Sequence, residues 1–221
     1  MYVHKECNIY NHAKTKIRRS HEQFVLKYLK VRTMVALTGQ HVDENFWEHQ
    51  RNYNTAIKLY TVEKNTDTIK AIACKMRKLD TPNIVLLIGN AMKYWNALPQ
   101  YTPKKHKSIG CCPVSKVDAL DLDDTHYLTE KHIERVYKMF ERNKNLFSPL
   151  FAFSIGYPAV SYRGRDNILG AEDVLAYRLQ DLGITVIDKY KSPSYSSPIH
   201  SGSGPRWEWN YTTFICAHRL P

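Results

Sequence analysis

The 221 residues carry 32 Lys plus Arg against 21 Asp plus Glu, a net charge of +11 at neutral pH. Hydrophobic residues make up 43% of the chain and aromatic residues 12%, which excludes global disorder, and no window approaches the ~20 apolar residues of a membrane span. This length suits a single domain whose core needs neither disulfides nor metal. The five cysteines include no Cys-x-x-Cys pair and no apolar leader opens the chain, so we expect a cytosolic protein with reduced thiols.

The N-terminal segment is strongly basic. Residues 1–40 hold eight Lys and Arg against two Glu, a net charge of +6 that indicates either an anionic partner or a solvated helix face. Apolar spacing predicts a helix over residues 13–37 with a narrow apolar stripe. We therefore divide the chain into a helical arm, residues 1–39, and a core domain, residues 40–221. The predicted assembly contacts of the arm are Phe24, Tyr28, Leu29, Arg18 and Arg19.

The first half of the core domain is predicted to contain both strands and a helix. The pattern predicts a strand over 56–62, a turn over 64–67 and a short helix over 68–78. The unbroken apolar run from Pro82 to Ile88, closed by Gly89, predicts a buried central strand. Residues 96–117, rich in proline and lysine, are predicted to form a loop.

The second half alternates in the same way. The acidic run 118–124 is interpreted as a capping arrangement before a helix over 129–143, with Thr129 as the N-cap. Further predicted elements are a strand over 150–155, a helix over 170–182, a strand over 184–187, a surface loop over 191–205 and a last strand over 211–217.

No residue pattern predicts a catalytic or metal site. Cys111 and Cys112 lie near Lys107, but no Cys–His nucleophile pattern accompanies them. The acidic run lacks the central glycine and distal glutamate of a calcium loop. The glycines form no phosphate loop. We therefore expect no enzyme, no catalytic residues and no bound metal.

The C-terminal third resembles the cypovirus polyhedrins, viral proteins that crystallise in infected cells and embed virions. The resemblance rests on the stretches Phe151–Gly156 and Val186–Pro193 and, upstream, on Pro82–Ile88. It implies an α+β fold with a β-sandwich-like core flanked by helices and a protruding basic N-terminal helix. No nucleotide-binding position of that family can be matched to this sequence.

Residues 153–192 also resemble RNase-H-like transposon nucleases with a zinc ribbon. Lys189 stands where those nucleases need an acidic residue, and a lysine would repel the metal ions of a two-metal site. This second resemblance implies a basic nucleic-acid-binding domain, a degenerate nuclease, as the alternative function.

The polyhedrin resemblance implies a structural, self-assembling function. The chain would form the crystal lattice of viral occlusion bodies in the cytoplasm of the infected host cell and dissolve at alkaline pH. Its partners would be other copies of itself and virions, with no membrane. Bound nucleotides would serve as structural anions, because +11 charges per chain repel one another on close packing.

Overall fold

The fold is known from a computed structural model that describes residues 12–79, 83–92, 99–102, 107–111, 116–122, 127–159, 167–197 and 207–218. The helices in these ranges are α1 (His12–Val25), α2 (Val42–Tyr53), α3 (Thr66–Leu79), α4 (Glu130–Asn143) and α5 (Ala171–Asp181). The strands are β1 (Thr33–Ala36), β2 (Lys58–Glu63), β3 (Ile84–Ile88), β4 (Pro99–Thr102), β5 (Lys107–Cys111), β6 (Val117–Leu122), β7 (Phe147–Pro158), β8 (Ile184–Lys191), β9 (Tyr195–Ser197) and β10 (Trp207–His218).

The strands form one mixed sheet in the order β5-β4-β3-β2-β1-β6-β7-β10-β8, with β9 paired to β10. Five adjacent strands, β3, β2, β1, β6 and β7, run parallel to one another. Strand β10 is antiparallel to both β7 and β8. The main body of the sheet consists of seven strands, in the spatial order β3, β2, β1, β6, β7, β10 and β8. The antiparallel hairpin β4–β5 extends it beyond β3.

Helices cover both faces of this sheet. Apolar side chains of α1, α2 and α3 pack on one face with Met34, Ala36 and Leu59, and those of α4 and α5 pack on the other with Val35, Leu120 and Phe153. Alternate residues of each strand therefore point into two separate interiors. The predicted β-sandwich is wrong, because a three-layer α/β arrangement around one parallel-rich sheet replaces two packed antiparallel sheets.

The described part of the N-terminal segment, residues 12–39, contributes a strand to the sheet and a helix to its cover. The predicted helix over 13–37 ends at Val25, and residues 33–36 form β1, which pairs with both β2 and β6. The predicted division at residue 39 thus falls directly after a central strand. Helix α1 presents Phe24 and Val25 to the interior that α2 and α3 also share.

Several other elements agree with the sequence patterns, and some do not. The predicted strand over 82–89 is β3, buried in the parallel part of the sheet, and Thr129 caps α4 by accepting a hydrogen bond from the backbone N–H of His132. Within the predicted loop 96–117, the described residues form the hairpin β4–β5. The start of the acidic run is strand β6, and residues 123–126 lie outside the described ranges. Among the described residues, no helix has the length and hydropathy that crossing a membrane requires.

Candidate functional site

The sheet has a topological switch point between β1 and β6. From β1 the chain moves outward through β2 and β3, whereas from β6 it moves to the opposite side through β7. The loops that leave the carboxyl ends of β1 and β6 therefore diverge and leave a crevice between them. In open parallel α/β sheets, ligands bind in the crevice at this place.

A cavity of about 580 Å³ lies at this edge of the sheet. It is lined by residues that follow β1, β2 and β3 and by one face of α4: Leu37, Val62, Glu63, Lys64, Gly89, Asn90, Ala91, Met92, His132, Arg135 and Arg142. A volume of this size accommodates a nucleoside-sized ligand.

Glu63 ends β2 and brings a carboxylate to the cavity wall. Its Oε1 accepts hydrogen bonds from the backbone N–H groups of Lys64 and Asn65, at 2.7 and 2.8 Å. Its carbonyl oxygen accepts a hydrogen bond from Gly89 N at 2.8 Å, which ties the ends of β2 and β3 together. The second carboxylate oxygen, Oε2, accepts no hydrogen bond from the described residues. An acidic residue at this strand end commonly accepts hydrogen bonds from ribose hydroxyls.

The turn between β1 and α2 is short and contains one glycine. Gly39 has φ +52°, and a side chain there would meet nothing within 4 Å, so the turn has open space beside it. The first turn of α2 carries Asp43 and Glu44, both paired with Lys75. A helix that binds phosphate presents free N–H groups and a positive end to the anion, and these carboxylates oppose that use. This edge of the sheet therefore suits a nucleoside ligand that places no phosphate group at the turn after β1.

Helix α4 forms the basic wall of the cavity. His132 is buried at the start of the helix, whereas Arg135 and Arg142 are exposed. Neither arginine forms an ion pair with a carboxylate of the described residues. With His132 counted as neutral, the lining cations Lys64, Arg135 and Arg142 against Glu63 give a net charge of +2.

A second polar cluster is buried on the opposite face of the sheet, between α1, α2 and the strands. Arg18 Nη1 donates to Asn45 and to Glu48 Oε2, the latter at 3.1 Å, and Arg18 Nε lies 3.7 Å from Asp121 Oδ2. The hydroxyl of Tyr211 donates to Asp121, and burial together with Asp121 raises the pKa of Tyr211 well above its usual value. This cluster joins three elements through charges that have little access to water.

The same cluster continues between α1 and α2 through two histidines, His21 of α1 and His49 of α2. His49 Nδ1 is hydrogen-bonded to Glu22, and His21 Nδ1 lies 2.8 Å from the hydroxyl oxygen of Thr213. Burial lowers the pKa of His21 to about 4, although Asp121 acts in the opposite direction. His21 is therefore neutral at pH 7 and holds α1 against β10. The cavity beside it, about 10 Å³, is of the size of one water molecule, so this region supports the structure and offers no room for a substrate.

The five predicted assembly residues lie in different environments. Arg18 and Phe24 are buried, with 6% and 9% of their surface exposed, and Leu29 packs on the same interior as Phe24. Arg19 is exposed, and Tyr28, 36% exposed, donates a hydrogen bond to Asp188. Their role in self-association stays a prediction. Arg18 and Phe24 already have partners within the chain, so of the five only Arg19 and Tyr28 offer appreciable surface.

The other sequence candidates carry no site. Asp118, from the acidic run, accepts hydrogen bonds from the backbone of Arg32 and Thr33 and from Ser148, so it fastens β1 and β7 to β6. The side chains of Cys111 and Cys112 lie outside the described residues. Over the described part of the chain, no group of three His, Cys, Asp or Glu side chains is placed to hold a metal ion.

Comparisons with known proteins support the fold and give no sequence family. No family model and no curated protein matches the sequence. The structure, however, is similar to that of M. jannaschii TYW2 in complex with S-adenosylmethionine (AdoMet), with a TM-score of 0.56 and 10% identity over 96% of this chain and 79% of that one. A methyltransferase from Pyrococcus furiosus gives a TM-score of 0.54 and 13% identity over 97% and 87% of the two chains. TrmN from Thermus thermophilus gives 0.50 and 11% identity over 93% and 52%.

The fold is thus the Rossmann-like fold of AdoMet-dependent methyltransferases, and this finding corrects several sequence-based expectations. The resemblance to polyhedrins is wrong, and so are the occlusion-body lattice and the degenerate nucleic-acid-binding nuclease, because the structural neighbours are methyltransferases. The expectation that the chain is no enzyme is contradicted by the same neighbours. The predicted nucleotide ligands find support only in a coarser sense, since the TYW2 structure holds AdoMet, a nucleoside derivative. Localisation and self-association stay predictions.

Proposed function

We propose that this chain is an AdoMet-dependent methyltransferase that binds its cofactor in the cavity at the carboxyl ends of β1, β2 and β3. The observation that carries the proposal is the position of Glu63. It places a carboxylate at the end of the second parallel strand, beside the switch point, in a fold for which a structural neighbour is known with AdoMet.

The residues around the cavity fit the parts of AdoMet. Glu63 Oε2 is available to accept hydrogen bonds from the ribose hydroxyls, and Leu37, Val62 and Met92 offer apolar surface to the adenine ring. The carboxylates at the start of α2 exclude a phosphate-binding role for that turn, which agrees with a cofactor that has no phosphate. The turn after β1 departs from glycine-rich nucleotide-binding turns, because Gly39 is its one glycine.

When bound, AdoMet would supply an electrophilic methyl group on a sulfonium sulfur. A nucleophilic atom of the acceptor would take this methyl and lose a proton, and the electron pair of the broken carbon–sulfur bond would stay on sulfur. The chain contributes binding and orientation, which can account for a large part of the rate enhancement of a transfer between two bound molecules. Glu63 would hold the sugar in place by accepting hydrogen bonds from its hydroxyls.

The test is the binding of AdoMet to the purified chain, measured by isothermal titration calorimetry. We expect Glu63→Gln to weaken AdoMet binding at least 10-fold, because hydrogen bonds to a charged acceptor contribute about 1.5–3 kcal/mol. The amide retains an oxygen for the backbone groups of Lys64 and Asn65, so the turn should survive. Glu141→Gln, on the exposed side of α4, is the matched control and should bind AdoMet like the wild type. A folded chain that binds no AdoMet at millimolar concentration would refute the proposal.

A further inference from the structure

AdoMet would not balance the charge of the described lining of the cavity. The described lining carries a net charge of +2. AdoMet has a sulfonium, an ammonium and one carboxylate, so it adds a further positive charge and leaves the loaded site more cationic than the empty one. Because like charges gathered in a concave site repel one another, the loaded site favours an additional anion.

The two arginines of α4 are the groups that can bind such an anion. Arg135 and Arg142 are seven residues apart, so their side chains leave the same side of the helix about 10.5 Å apart along its axis. Both line the cavity, and neither is held by a carboxylate of the described residues. The guanidinium fork matches the oxygens of a carboxylate or a phosphate and binds them with two parallel hydrogen bonds.

The carboxylate of AdoMet cannot satisfy both arginines and Lys64. It carries one negative charge, and the ammonium group on the same carbon atom repels a cation placed close to it. Lys64 can pair with this one carboxylate, so both arginines stay available to a second ligand. Both arginines line the same cavity as Glu63, so an anion bound to them lies next to the proposed cofactor site.

Building on the proposed function, we propose that the methyl acceptor carries an anionic oxygen group, a carboxylate or a phosphate, and that Arg135 and Arg142 bind this group. The arginines act as specificity-determining residues: they hold the acceptor by its anion and take no part in the bond changes. The methyl group passes to a different, nucleophilic atom of the same molecule, which releases its proton to water.

The experiment titrates simple anions into the chain saturated with AdoMet, by calorimetry at low salt. Inorganic phosphate, pyrophosphate and succinate are the probes, and their relative affinities distinguish a phosphate from a carboxylate ligand. We expect at least one probe to bind with a dissociation constant in the millimolar range or below. The double variant Arg135→Gln/Arg142→Gln should weaken that binding at least 10-fold and leave the affinity for AdoMet within about 3-fold.

The control is a charge-matched double variant, Arg19→Gln/Arg51→Gln, whose arginines are exposed away from the cavity. It should bind the probe like the wild type. Equal anion binding in the wild type and in the Arg135/Arg142 variant would overturn the inference, and so would a variant that loses AdoMet together with the anion, because the arginines would then hold the cofactor. If the wild-type chain binds the anion but does not bind AdoMet, the proposed function is refuted and the anion site is not.

Discussion

The two interiors on either side of the sheet are built from different chemistry. Under α4 and α5 the interior is apolar and rich in aromatic rings, with Phe140 stacked on Phe147 at 5.1 Å and Phe153 on Phe214 at 5.6 Å. Under α1 and α2 the interior contains the Arg18, Glu48 and Asp121 cluster. The first interior is stabilised by buried area, whereas the second depends on each charge keeping its partner. One sheet can therefore tolerate changes of pH on one face and be sensitive to them on the other.

The largest expected effect is the loss of Arg18. Arg18→Leu leaves Asp121 and Glu48 without their shared cation in a region from which water is largely excluded. Breaking a buried pair in this way costs about 3–5 kcal/mol, and we expect the free energy of unfolding in urea to fall by that amount. Arg19→Leu changes the adjacent, exposed arginine and should alter stability by about 0.5 kcal/mol at most. Equal losses in the two variants would show that the cluster contributes nothing specific.

The next effect concerns pH and again belongs to the polar interior. Burial lowers the pKa of His21 from 6.5 to about 4, so the folded chain favours the neutral ring. Its contribution to the free energy of unfolding is fully present above pH 6.5. As the pH falls from 6.5 to 4, the unfolded chain binds a proton that the folded chain does not, and the free energy of unfolding drops by about 3 kcal/mol.

His21→Asn tests this pH dependence, because its amide oxygen can replace Nδ1 as the partner of Thr213 while it does not titrate. We expect the stability advantage of the wild type over the variant to shrink by about 3 kcal/mol between pH 7 and pH 4, measured by urea unfolding at several pH values. Parallel pH profiles for the two chains would contradict the assignment of a buried neutral histidine.

The smallest effect tests a polar contact on the apolar side. Thr129→Ala removes the side-chain oxygen that accepts from His132 N at 3.3 Å, and we expect it to cost about 1 kcal/mol. Thr129→Ser keeps the hydroxyl and serves as the control. Because no titrating side chain takes part in this hydrogen bond, chemical denaturation at pH 5 and pH 8 should show the same loss. A loss of stability that changes with pH would contradict the expected difference in pH sensitivity between the two interiors.

Local signals in the sequence predicted well the elements whose buried side chains are apolar. The run of five apolar residues in β3, the capping threonine of α4 and the periodic leucines of α5 all lie where the patterns placed them. These elements bury apolar side chains and expose polar ones, which is what a periodicity argument assumes.

The same assumption failed for α1 and α2, where charged side chains are buried. Helix α2 was not predicted, and its buried face includes Asn45, Glu48 and His49. Arg18, His21 and Glu22 of α1 are polar yet buried, and the four-residue strand β1 lies inside the stretch for which apolar spacing predicts a helix. A buried charge network has the same sequence pattern as an exposed surface.

The site itself was missed because its residues meet only through the parallel sheet. Glu63 is an acidic residue at the end of a strand, followed by a turn, a helix and a buried strand, and that order is the signature of a β-α-β unit. Reading residues 58–88 as such a unit would have placed Glu63 at the carboxyl edge. Strand order, which decides that β1 and β6 are neighbours, has no local signal.

Strand β8 contains a β-bulge opposite β10, and this bulge affects how copies of the protein can associate. Asp188 pairs with Ile215 and Val186 with Cys216, so Ile187 is an extra residue without a partner on β10. The extra residue reverses the alternation: Asp188 and Tyr190 turn toward α1, and Lys189 and Lys191 turn toward Asp173 and Glu172 of α5. Among the described strands, β8 ends the row, and a bent, lysine-bearing border is a poor template for a strand from another chain. Copies of this protein should therefore be protected from edge-to-edge aggregation at this side of the sheet.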